Sequence, residues 1–321
     1  MRAAIVAFLI APAVSATAGE FVLSQPIDCV IGESCHIQQY VDHQPGPDAQ
    51  DFMCNALTYD GHKGTDFGLP STKAMTDGVR VLAAADGRVI ARRDGMSDAG
   101  LTPATESQID GRECGNGVVL GHGDGWETQY CHMKQGSVRV TVGQSVTAGE
   151  ALGLVGLSGK TEFPHVHLSV RRDGAVIDPF APDMPDTCGA SISTPLWKEA
   201  LPYQPGGLLA VGFADDVPTY DSIKDGAAAQ DTVTATTAGI VLWGYAFGGR
   251  RGDIMRLAIE GPAGRLIDQQ VTLENARAQF FRAAGKRLTS DEWPLGGYTG
   301  RVELWRGDRI IDRRTVALKV R

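Results

Sequence analysis

The sequence has no run of lysine and arginine of the kind that neutralises phosphates, and the 321-residue chain carries a net charge of −8. Nucleic acid is therefore not expected as a partner. Beyond the N-terminus no apolar run is long enough to cross a bilayer, so the mature chain is expected to lack an integral membrane segment. None of the six cysteines stands in a Cys-x2-Cys pair, which counts against a structural zinc knuckle. Histidine is scarce and unevenly placed. All seven lie at or before His167, and the last third of the chain has neither histidine nor cysteine.

What is present begins with a leader. Arg2 supplies a positive start, Ala3 to Val14 an apolar core, and Ala16-Thr17-Ala18 a small-x-small cleavage site. Residues 1–18 read as a secretory signal whose core is too short for a comfortable membrane span. An even number of cysteines in an exported chain predicts disulfides. Cys114 and Cys131 flank a probable hairpin, Cys29 and Cys35 close a short local loop, and Cys54 with Cys188 would staple the start of the first domain to its end. With no lipobox cysteine and no wall-sorting tail, a periplasmic location is expected, with full secretion as the alternative.

The chain is long enough for two domains. Residues 19 to about 60 read as loop, with His36 and His43 in solvated positions because neither has a spaced partner. Short β segments then follow. Val79 to Ala84 leads through Asp86-Gly87 to Arg88–Ala91, and Gly117–His122 and Trp126–His132 flank the turn Gly123-Asp124-Gly125. His122 falls in that turn, and Tyr59-Asp60 reads as a surface pair. Glycine is abundant, at 40 residues, which favours hairpins over long helices. Proline and glycine cluster near residues 194–207, which places a first domain at 19–198, with its core at 60–180, and a second at 199–321. The second shows about seven short alternating segments, the pattern of an immunoglobulin-like β-sandwich. Within it the run 275–287 suits a helix as well as a strand. Trp243, Trp293 and Trp305 are assigned to the sandwich core. This domain carries no titratable constellation, so it is expected to dock a protein partner or position the chain on its target.

The chemistry lies in the first domain. His62 and Asp66 stand four apart in Gly61-His62-Lys63-Gly64-Thr65-Asp66-Phe67-Gly68, a run too glycine-rich for a helix. In an extended strand positions i and i+4 share a face, as do His165 and His167 at i and i+2. A hydrolytic Zn2+ site needs three protein ligands and a position left for water. His62, Asp66 and one of His165 or His167 meet that count, and His132 is available as a further imidazole to orient or deprotonate water.

His-x3-Asp, a later histidine in Tyr130-Cys131-His132, and His165-x-His167 together resemble the lysostaphin and LytM type of zinc metalloendopeptidase. Gly143-Gln144-x-Val146-x-x-Gly149-Glu150 resembles its glycine-spaced hairpins, and the match runs from about Asp60 to Pro179. The resemblance implies an all-β, antiparallel fold (a duplicated hybrid motif) with its site in a groove walled by loops. It makes His62, Asp66 and His167 the metal ligands, and His132 and His165 the catalytic histidines. It also implies hydrolysis of amide bonds in the peptide cross-links of peptidoglycan. Two departures stand out. His167 is followed by Leu168-Ser169-Val170 where the family has an acidic residue, and Thr161-Glu162-Phe163 replaces its Ser/Thr-Gly stretch; both are expected to bear on bond specificity. A noncatalytic regulator or wall-binding scaffold on the same fold is the alternative. Such a relative would be expected to lack a ligand or a catalytic histidine, and none is missing here.

Overall fold

Asp66 and His167 sit directly opposite each other on paired strands, and the rest of the N-terminal half is built around that pairing. The computed structural model describes residues 21–183 and 194–321. The expected leader at 1–18 lies outside the described residues, as does Cys188 of the expected Cys54–Cys188 pairing. Cys29–Cys35 and Cys114–Cys131 are both joined.

Strands β1 (His36–Gln39), β2 (Thr65–Gly68), β3 (Arg80–Leu82) and β4 (Gly87–Arg93) are followed by the hairpin β5 (Asn116–Gly123) and β6 (Trp126–Met133). Then come β7 (Ser145–Val146), β8 (Ala151–Leu154), β9 (His165–Arg172) and β10 (Ala175–Ile177). Among the described residues helix is limited here to α1 (Thr72–Asp77) and α2 (Glu106–Ile109). The main antiparallel sheet has the order β1-β2-β9-β6-β5-β4-β7, with β10 on β9, and β3 pairs with β8 separately. Alternation along β9 explains its two roles. Val166, Leu168 and Val170 enter the core, while His165, His167 and Ser169 face the other way. Residues 21–60 are not a solvated loop. They supply β1 to the sheet edge, so His36 is buried and His43 bonds Asp178 through Nε2 at 2.7 Å.

The C-terminal half contains β11 (Gly207–Ala214), α3 (Tyr220–Asp225), β12 (Thr232–Val233), β13 (Gly239–Gly249) and β14 (Ile254–Gly261). It ends with β15 (Gly264–Thr272), β16 (Arg277–Arg287), β17 (Gly296–Arg306) and β18 (Arg309–Val320). The ambiguous run 275–287 is a strand, because its residues pair with β13 along nearly their whole length. One sheet is β11-β13-β16 and the other β12-β18-β17-β14-β15. They share a core that includes Phe213, Leu242, Leu257, Val302, Leu304 and Trp293. Two sheets on one core are compatible with the expected immunoglobulin-like sandwich. Every residue of β13 is buried, as a strand covered on both faces must be. Its second face carries Trp243, Tyr245 and Phe247, packed with Ile223 of α3. Trp243 thus lies outside the shared core, and Trp305 is only half-buried.

The halves are joined by specific contacts. Gln38 on β1, buried in the first half, donates through Nε2 to the Ala278 carbonyl at 3.1 Å and accepts from Gln279 Nε2 at 3.0 Å. The His36 and Phe247 rings lie 4.6 Å apart, and Arg250 donates to Asn55 Oδ1 at 2.6 Å. No helix among the described residues is long and apolar enough to cross a membrane.

Candidate metal and catalytic site

The site is assembled on three neighbouring strands, β2, β9 and β6, with one residue from the loop before β2. The extended-strand argument does not hold for His62, since β2 begins only at Thr65. The ring is fixed instead by the Tyr40 carbonyl, to which Nδ1 donates at 2.7 Å. Gly64, between His62 and Asp66, has a steric reason. A Cβ there would lie 2.6 Å from His167 Nε2 and 2.6 Å from the Leu168 carbonyl oxygen.

Hydrogen bonds on the outer side of each ring set the tautomers. Ser169 Oγ gives its proton to the Lys63 carbonyl at 2.8 Å, so it accepts from His167 Nε2–H at 3.0 Å. His132 Nδ1 donates to the Ser158 carbonyl at 2.8 Å, and His165 Nδ1 to the Phe163 carbonyl at 2.9 Å. Four imidazoles therefore keep their protons outward and present a bare nitrogen inward. His167 Nδ1 lies 2.8 Å from Asp66 Oδ1, and His62 Nε2 lies 3.2 Å from that oxygen and 3.2 Å from His167 Nδ1. Three lone pairs converge, and only a proton or a cation can sit between them. Ligands of a tetrahedral zinc at its usual bond lengths stand about 3.3 Å apart, close to these separations. The residues fit a zinc ion. Between the two open alternatives for the third ligand, His167 joins the cluster with His62 and Asp66, while His165 Nε2 stands 3.5 Å from Asp66 Oδ1.

Electrostatics favour positive charge at this point. Burial works against charging His62, but the Asp66 carboxylate outweighs it and raises the pKa. Burial likewise opposes ionisation of Asp66, yet the surrounding imidazoles hold its carboxyl well below the usual range. Burial, then the neighbouring imidazoles, pull His132 well below the ordinary imidazole value.

His132 reaches the site through a fault in β6. Thr128, Tyr130 and Met133 are all fully buried in the core, and an even alternation cannot include both 130 and 133. The extra residue makes a bulge opposite Asn116–Val118, and His132 adopts a positive φ of 60°. Its N–H donates to the Cys114 carbonyl at 2.8 Å, and Cys114 is bonded to Cys131. The His132 and His165 rings stand 4.6 Å apart, beside the three-residue cluster. His122 is elsewhere, bonded to the Asp86 carbonyl and Thr128. Tyr59 is exposed, but its ring lies 4.5 Å from that of His62 and so borders the site.

A cavity of about 530 Å³ opens over Asp66, His132, His165 and His167. Thr161, Glu162 and Phe163, expected to bear on bond specificity, line this cavity. Ser169 carries the same expectation, but its hydroxyl stands behind His167. Ser169→Ala is accordingly expected to weaken zinc affinity about 10–100-fold, the usual effect of losing a ligand's hydrogen-bond partner. Competition with a chromogenic chelator measures this, and an unchanged dissociation constant would contradict the role given to Ser169.

The sequence of residues 60–179 matches peptidase family M23. Those residues are an M23 peptidase domain. The chain is 33% identical over 119 residues to the cell division protein DipM of Caulobacter vibrioides, covering 37% of this chain and 18% of that protein. It is 28% identical over 124 residues to the peptidoglycan DD-endopeptidase ShyA of Vibrio cholerae, covering 39% and 23%. It is 34% identical over 104 residues to the murein hydrolase activator EnvC of Escherichia coli, covering 32% and 20%. The chain thus spans about a fifth of the length of these curated relatives. The M23 domain contains all five of the histidine and aspartate positions singled out above.

Proposed function

We propose that the chain is an exported zinc endopeptidase that hydrolyses amide bonds in peptidoglycan peptide cross-links, acting in the periplasm. The observation that carries this reading is the convergence of bare donor atoms from His62, Asp66 and His167 beside the paired rings of His132 and His165. A zinc ion held there would supply Lewis acidity and water activated near neutral pH. The chain's own residues do the rest. His132 keeps its Nδ1 proton on the Ser158 carbonyl and offers Nε2 as an acceptor. Because its pKa is depressed, that nitrogen is bare at neutral pH, and a proton it takes is readily passed to the departing amine. His165, held by the Phe163 carbonyl, is the second proton-handling ring.

Likeness to EnvC supports a second reading, in which the chain activates another wall hydrolase without turnover of its own. Digestion of purified sacculi with and without a chelator, followed by mass spectrometry, separates the two. The endopeptidase reading expects new amine and carboxyl termini within the cross-links, abolished by the chelator and restored by zinc. Sacculi left intact by the zinc-loaded chain, or release indifferent to the chelator, would sink it.

A further inference from the structure

The cavity over the M23 site is lined in part by the C-terminal domain, which supplies Tyr220 and Lys224 of α3 and Ala278 and Gln279 of β16. These residues are held in place from both directions. Gln279 is tied to buried Gln38, the neighbour of Gln39 on the strand that pairs with Asp66. At the other end, Thr72 of α1 bonds Asp225 Oδ1 at 3.2 Å, next to Lys224. Tyr220 stacks on Phe281 with ring centroids 5.8 Å apart, and Lys224 Nζ lies 5.1 Å from the Tyr220 ring centre.

Lys160 and Lys224 line the cavity together with two carboxylates, Glu162 and Asp66, and Asp66 is turned into the histidine cluster. Asp221, 3.4 Å from Lys224, is 87% exposed, and a pair so solvated leaves the ammonium available. An available ammonium on the cleft wall suits a ligand bearing a carboxylate.

We propose that the C-terminal domain is the second wall of the substrate cleft, and that Lys224 on that wall binds a carboxylate of an anionic peptide. The choice of peptide rests on the cross-link reading above; the composite cleft does not. It adds to the expectation that this domain docks a partner or positions the chain. Binding is measured with the zinc-loaded full chain carrying His132→Ala, which holds turnover down. The probes are fluorescent cross-linked muropeptides with free carboxylates or with those groups converted to amides. The acid form should bind more tightly than the amide, and Lys224→Gln should weaken the acid form about fivefold while leaving the amide unchanged. Tyr220→Ala should weaken both forms. Lys198→Gln, a lysine outside the cavity, should change neither. Equal binding of acid and amide, no binding of either, an unaltered acid affinity in Lys224→Gln or an equal loss in Lys198→Gln would each overturn the proposal. Intact sacculi in the digestion experiment would instead count against hydrolysis and leave the binding comparison to decide the cleft on its own.

Discussion

Asp66→Asn is expected to give a folded, zinc-free protein whose cleavage of cross-linked muropeptides falls by about 10³-fold or more, beyond the 10–100-fold lost with a supporting partner. The reason lies in the lone pairs. Asp66 Oδ1 stands 2.8 Å from His167 Nδ1 and 3.2 Å from His62 Nε2, and the outward hydrogen bonds leave both nitrogens without a proton. In the unsubstituted protein a zinc ion held there would satisfy all three atoms. On chelation a proton must take its place, and the raised pKa of His62 beside the depressed one of Asp66 shows where it goes. An asparagine amide can point its N–H groups at the two nitrogens, so the substituted cluster is satisfied without an ion or a proton. It should therefore fold well and lose its appetite for metal. Elemental analysis should find about one zinc per unsubstituted chain and almost none in Asp66→Asn. Thermal melts should show chelation destabilising the former but not the latter. Zinc bound stoichiometrically by Asp66→Asn, or full activity without it, would show that the metal is not held here.

Much of this cluster was legible in the sequence because its chemistry sits in side-chain identity. The spacing of His62 and Asp66 and of His165 and His167 left the third ligand open, and the resemblance carried by these residues with His132 implied His167. The alternation of β9 was equally readable, since Val166, Leu168 and Val170 mark the core face and thereby fix where His165 and His167 point. What could not be read is held by groups without identity. The carbonyls of Tyr40, Ser158 and Phe163 set three tautomers, and a backbone carbonyl leaves no mark in the sequence. Ser169 did leave a mark, as the residue where the family has a different one, but its role required knowing that its proton goes to Lys63. His36 and His43 looked solvated for lack of spaced partners, yet their partners lie at Gln38 and at distant Asp178. The wall formed by Tyr220, Lys224 and Gln279 was invisible for a related reason. Periodicity reports which face of a strand is buried and not what covers it. For β13, whose two faces are both buried, the second cover is α3 and its surroundings.

His132→Ala is expected to retain zinc and lower kcat by about 10²–10⁴-fold, the range for loss of a positioned acid–base group, with KM little changed. The two ligand-like criteria separate this residue from the metal cluster. Its bare nitrogen makes no close approach to Asp66 Oδ1 of the kind made by His62 and His167, and its ring instead faces His165 at 4.6 Å. The bulge that places it is a local expense, a non-glycine residue at φ 60° inside a core strand, and such strain persists only where the surroundings hold it. Here they are the Cys114 carbonyl on its N–H, the Ser158 carbonyl on its ring, and the Cys114–Cys131 bond alongside. Alanine keeps the Cβ that disfavours a positive φ, so the substitution relieves none of that strain and removes the ring. His165→Ala is the informative comparison, since His165 Nε2 at 3.5 Å from Asp66 is the alternative third ligand. Zinc kept by both variants, with kcat reduced in both, assigns them proton handling. Loss of zinc from His165→Ala but not from His167→Ala would reverse the ligand assignment, and kcat unchanged in His132→Ala would remove that ring from the reaction.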